Sequence, residues 1–105
     1  MGELVTTKEE VLDRLRQNGA YLQSLGVKRL GLFGSFVRGE QKDVSDIDLL
    51  VEFEKGKKTF DNFMALSFYL ETLPLRRIEL ITSESLSPYI GPNILKEVEY
   101  AQLAA

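Results

Sequence analysis

The chain has 105 residues, a net charge of −3, and 44% hydrophobic and 28% charged residues, the profile of an ordinary soluble protein with room for one domain, residues 1–105. It has no cysteine and no histidine, which excludes disulfides, thiolate chemistry, Cys/His zinc sites and a histidine base, and leaves acid–base work to carboxylates, Lys or Tyr. The acidic balance argues against a sequence-independent grip on nucleic acid, and the lack of a long apolar run or signal-peptide pattern argues for a cytoplasmic protein that does not enter a membrane.

Thr7-Lys8-Glu9-Glu10 has the form of a capping box, and Val11, Leu12, Leu15, Leu22 and Leu25 then recur at helical spacing. One helix is predicted there, weakened in its middle by Asn18-Gly19 and stopped at Gly26. The apolar run from Val27 to Phe33 predicts a buried strand ending at Gly34. Ser35 to Gly39 has room for a helical turn or two, and the polar stretch from Glu40 to Ser45 reads as a loop.

Ile47 to Phe53 is the most strand-like segment, its continuous Leu49-Leu50-Val51 predicting cover on both faces. Lys55-Gly56-Lys57-Lys58 forms a turn; these lysines and Arg76-Arg77 read as solvated faces. Phe60, Phe63, Met64, Ser67, Phe68 and Leu70 mark a second helix closed by Pro74, with the aromatic stripe packing in the core. Arg77 to Thr82 alternates around Ile78, Leu80 and Ile81 as a third strand. Pro88 and Pro92 precede a last helix with Ile94, Leu95, Val98 and Tyr100 on its apolar side. The order α-β-turn-β-α-β-α predicts an α/β (α+β) domain, a small mixed sheet with helices packed against it.

The segment that carries chemistry is Gly34-Ser35-Phe36-Val37-Arg38-Gly39 with Ser45-Asp46-Ile47-Asp48-Leu49. Strand side chains alternate, so Asp46 and Asp48 project from one face near the strand's start. Two neighbouring carboxylates repel each other unless a cation lies between them, and an oxygen-rich pocket suits Mg²⁺ or Mn²⁺ completed by water and phosphate oxygens. Gly34 permits close backbone approach, the turn's free N–H groups face outward, and Ser35 adds a hydroxyl donor. Arg38 lies one helical turn on and can reach a second phosphate oxygen. Either feature alone is usually turn chemistry; together, within fifteen positions, they outweigh that reading.

These residues, continued by Leu50-Val51, resemble the signature of the DNA polymerase beta nucleotidyltransferase superfamily. Within it the chain is most similar to the minimal nucleotidyltransferase branch, often encoded beside a toxin of the "higher eukaryotes and prokaryotes nucleotide-binding" (HEPN) type. The resemblance runs through the closing Ile94-Leu95-Lys96-Glu97 segment. It implies the polymerase-beta-like fold and a third carboxylate, which falls on Glu79 within Arg77-Ile78-Glu79-Leu80-Ile81. The family has Asp at that position, one methylene shorter. Flanked by Ile and Leu in a strand expected to be buried, Glu79 reads as an acid in need of a partner or metal, with an outward-facing edge residue as the alternative.

The roles the resemblance implies are as follows. Asp46, Asp48 and Glu79 are the catalytic and metal-binding residues; Gly34, Ser35, Arg38 and Ser45 hold ATP. The chain would be an antitoxin that transfers AMP to a hydroxyl, a tyrosine's by the family's pattern, on a HEPN toxin partner. An antitoxin that neutralises its toxin by binding alone stays open as the alternative, because Glu79 departs from the family's Asp.

Overall fold

The computed structural model describes residues 7–41, 46–73 and 77–103. Ser45, Pro74 and Arg76 lie outside them, so the expectations placed on those three residues do too.

The chain opens with two helices, α1 (Lys8–Gln17) and α2 (Gly19–Ser24), where one was expected. Thr7 caps α1 by accepting from the Glu10 N–H at 3.2 Å. Glu9 and Glu10 fill its first turn and Arg14 and Arg16 its last, the order the helix dipole favours. The break at Asn18 has a physical cause beyond the weak helix propensity of Asn-Gly. The Asn18 amide donates to the Arg14 carbonyl at 2.7 Å and accepts from the Tyr69 hydroxyl, so its side chain caps α1 while bridging to another helix.

Gly26, at φ 87°, turns the chain into strand β1 (Val27–Phe33), and its N–H is satisfied by Gln23 at 2.9 Å. The short helix α3 (Ser35–Arg38) follows, then β2 (Ile47–Phe53), helix α4 (Phe60–Thr72) and β3 (Ile78–Thr82). Thr59 caps α4 by accepting from the Asn62 N–H at 3.1 Å. A 3₁₀ turn at Ser83–Ser85 leads to helix α5 (Gly91–Glu97) and a two-residue strand, β4 (Glu99–Tyr100).

The sheet order is β3-β2-β1-β4. β1 runs antiparallel to β2 and β4, while β2 and β3 are parallel, with α4 making the crossover between them. The sheet is therefore mixed, as expected. Leu49, Leu50 and Val51 are all buried, which bears out cover on both faces of β2. One face contributes Leu30 and Leu32 of β1 and Ile47, Leu49, Val51 and Phe53 of β2 to a core shared with Val11, Leu15, Leu22, Leu66 and Leu70 of the helices. The aromatic stripe of α4 divides: Phe63 packs against that core, whereas Phe60 and Phe68 are exposed.

The end of the chain corrects the predicted last helix. α5 begins at Gly91 with Pro92 inside its first turn, Leu95 is exposed, Val98 is the C-cap and Tyr100 belongs to β4. The short strand forms because the Ala101 N–H donates to the Leu30 carbonyl at 2.9 Å and Tyr100 pairs with Gly31. Gly31 admits it: a Cβ there would stand 2.5 Å from Val98 Cγ2 and 2.9 Å from Tyr100 Cδ1. Arg29 packs over the Tyr100 ring at 4.3 Å and reaches Glu52 at 2.6 Å, and Lys8 pairs with Glu99 at 2.8 Å. These contacts seat the C-terminal segment at the β1 edge of the sheet, where Ala101 joins the core and Leu103 packs against it.

Candidate active site

Period-two alternation in β2 sends Ile47, Leu49 and Val51 into the core and Asp48 to the opposite face. There Asp48 pairs in register with Phe33 of β1 on one side and with Glu79 of β3 on the other. Asp48 is half-buried, and its pKa is pushed up to about 6. Burial is the largest cause, followed by the charge of Glu79, the charge of Asp46 and a hydrogen bond shared with Glu79; Arg38 pulls weakly the other way. Asp46 stands one residue before β2 and is partly buried.

The setting of Glu79 differs from the expectation of a buried strand. β3 is an edge strand and Glu79 is exposed, because its side chain leaves the sheet on the face away from the core. The parallel register nevertheless brings it to Asp48. Among the described residues no three acidic side chains converge into a ready-made cation cage. The donor set still suits a hard divalent ion. Mg²⁺ takes only one or two carboxylates and completes its shell with water and phosphate, and Asp48 is burdened by two like charges that a cation would neutralise.

The turn at the end of β1 closes on the same carboxylate. Gly34 has φ 82° and ψ −152°, and a Cβ placed on it would collide with Asp48 Oδ2. No other residue lets the backbone pass so near. The Gly34 carbonyl accepts from the Val37 and Arg38 N–H groups at 3.1 and 3.2 Å and so starts α3, with Ser35 as its first residue. Gly39, in the left-handed conformation, ends it.

The turn's N–H groups are not all free, as the sequence had suggested. The Gly34 N–H donates to Glu97 Oε2 of α5 at 2.6 Å. Arg38 sits where it was expected, one turn on from Ser35, but its guanidinium is engaged: Nε donates to Glu40 at 2.8 Å and Nη1 to both oxygens of Glu97 at 3.1 and 3.2 Å. The two acidic partners raise the Arg38 pKa further. Sequence reasoning missed Glu97. The available signal was its position, since an acid in the last turn of a helix opposes the dipole and calls for a tertiary partner.

Between this face of the sheet and α5 lies a cavity of about 340 Å³. Asp48 and Glu79 form its acidic edge; Phe33, Ile81, Leu86, Ile90 and Ile94 form apolar walls. None of those five apolar residues was singled out for the site from sequence, because they come from β1, β3, the connection at residues 86–90 and α5, and only the fold brings them together.

Comparison with known proteins accords with this geometry. Residues 8–101 match the family model described as "nucleotidyltransferase domain". The protein adenylyltransferase MntA of Thermococcus cleftensis is 40% identical over 95 residues, covering 90% of this chain and 95% of its own. A Methanocaldococcus jannaschii chain assigned as a protein adenylyltransferase is 43% identical over 72 residues, covering 69% and 76%. A solved structure assigned as a minimal nucleotidyltransferase superposes with a TM-score of 0.66 at 34% identity, covering 84% of this chain and 93% of that one. A toxin–antitoxin crystal structure with AMP-PNP shares the fold at TM-score 0.52 and 19% identity, covering 81% and 73%.

Proposed function

The chain belongs to the nucleotidyltransferase domain family, and from that membership we propose that it is a Mg²⁺-dependent adenylyltransferase acting as the antitoxin of a toxin–antitoxin pair. The observation that carries the reading is the meeting of Asp48, Glu79 and the Gly34 turn on one sheet face. The similarity to MntA and the fold shared with toxin–antitoxin structures support it.

Asp46, Asp48 and Glu79 would hold the divalent ions. Bound there, the ions supply charge neutralisation on the attacking and leaving oxygens of an in-line displacement. Ser35 and Arg38 would steady the leaving phosphates, with Ser45 beside them by the family's pattern. Glu79, exposed at the edge of the sheet, would take the proton of an incoming hydroxyl. The hydroxyl oxygen forms a bond to the α-phosphorus, the bond from that phosphorus to the β-bridging oxygen breaks, and pyrophosphate leaves.

The acceptor in this reading is a tyrosine hydroxyl of a helical HEPN toxin. Apolar walls opposite two carboxylates suit an aromatic ring carrying a hydroxyl, which can pack against Phe33, Ile81 and Ile94 and present its oxygen to Glu79. Mass analysis of the toxin partner after incubation with this protein, ATP and Mg²⁺ tests the assignment. A gain of one AMP per acceptor tyrosine is expected, and an unmodified partner in a stable complex would replace it with neutralisation by binding alone. That second reading has a specific motive: Glu79 is longer than the family's Asp, and it is exposed.

A further inference from the structure

Arg38, which the proposed function assigns to the leaving phosphates, and the Gly34 N–H of the same turn are already engaged by an anion from the chain itself. Glu97 accepts from the Gly34 N–H at 2.6 Å and from Arg38 Nη1 at 3.1 and 3.2 Å. One carboxylate taking a backbone N–H and a guanidinium together is the contact pattern of a bound phosphate oxygen pair. The placement is not left to a flexible tail. Glu97 ends α5, and the next residues are held by the Val98 and Tyr100 packing on Gly31 and by the Ala101–Leu30 hydrogen bond. Its side chain is about three-quarters shielded, at 24% exposure.

We propose that Glu97 is an internal stand-in for phosphate, occupying the Gly34 N–H and the Arg38 guanidinium until an incoming nucleoside triphosphate displaces it. In the nucleotide-free protein it keeps the backbone donor satisfied and the arginine aimed across the turn. Against nucleotide it is a competitor of like charge, so it sets how tightly the triphosphate binds. The inference rests on the reading of this turn as the triphosphate side.

Glu97→Gln keeps an oxygen to accept from Gly34 while removing one of the two carboxylate charges that hold Arg38, the other being Glu40. Calorimetric titration with Mg·ATP is expected to give a Kd about three- to tenfold lower for this variant than for the parent chain, the scale set by one charge-assisted contact. The KM for ATP should fall with it while kcat does not rise in proportion. An unchanged or weaker affinity would overturn the proposal while leaving the nucleotidyltransferase reading intact. Absence of Mg·ATP binding in both proteins would overturn the two together. A second readout needs no variant: carbodiimide labelling of Glu97 in the parent chain, followed by peptide mass analysis, should rise when Mg·AMP-PNP is added, and labelling that stays constant or falls contradicts displacement.

Discussion

Asp48 and Glu79 stand opposite each other on parallel neighbouring strands, and each burdens the other with a like charge. Burial first, and then the charges of Glu79 and Asp46, push the Asp48 pKa up to about 6, so that in the absence of a cation this carboxylate holds its proton more tightly than a free Asp. A divalent ion does the same work with two charges rather than one. The strain between these two side chains is thus the physical mark of the site.

Asp48→Asn should abolish nucleotide transfer and stabilise the fold. At pH 7 to 8 the parent carboxylate is ionised beside Asp46 and Glu79, and the amide removes that repulsion. Because Asp48 is partly solvated, the gain is discounted to about 1 kcal/mol, or roughly 4–8 °C in Tm for a chain of this size. Thermal melts of both proteins check it. Loss of activity with a lowered Tm would show that Asp48 is a structural residue.

The sign of the pH dependence follows from the raised pKa. An unfolded Asp ionises near its ordinary value of 3.8, whereas folded Asp48 keeps its proton to about 6. Its favourable contribution to stability is complete below about pH 4, and it is lost as pH rises through 6. The advantage of Asp48→Asn should therefore fade on acidification and vanish near pH 4. On the proposed metal role of Asp48, transfer activity should run the other way, falling below about pH 6 as the carboxylate takes up a proton in place of metal.

Gly34→Ala should cost at least about 2 kcal/mol, since it combines a positive φ with a Cβ driven into Asp48. Gly39 has φ 72° with nothing within 4 Å of a Cβ, so Gly39→Ala should cost only about 1 kcal/mol, the left-handed backbone penalty alone. Denaturant melts of the two variants compare them directly. Equal losses would mean that the approach of Gly34 to Asp48 has no energetic weight.

Gly31→Val should lift the C-terminal segment off the sheet, because its side chain would take the space of Val98 and Tyr100. The expected signs are a loss of about 2–3 kcal/mol of stability and faster amide exchange at Ala101. Retention of slow exchange there would contradict the seating of β4.

Much of the plan was legible in the chain. Apolar continuity marked β1 and β2, and the Gly-Ser and Asp-x-Asp spacing marked the residues that meet at the site. What escaped the sequence was set by tertiary contact. Asn18 divides a helix because Tyr69 is there to meet it. Tyr100 forms a strand because Gly31 leaves room. Glu79 is exposed because β3 lies at the edge, a fact of sheet order that no local pattern encodes. Glu97 lies 63 positions from Gly34, with no periodicity to connect the two.

Incubation with ATP labelled on its α-phosphate, Mg²⁺ and the helical toxin partner tests the central claim most directly. Label is expected on a tyrosine of the partner with the parent chain and not with Asp48→Asn, and no transfer is expected from ATP labelled on its γ-phosphate. Transfer undiminished in Asp48→Asn, or label arriving only from the γ-position, would contradict the account.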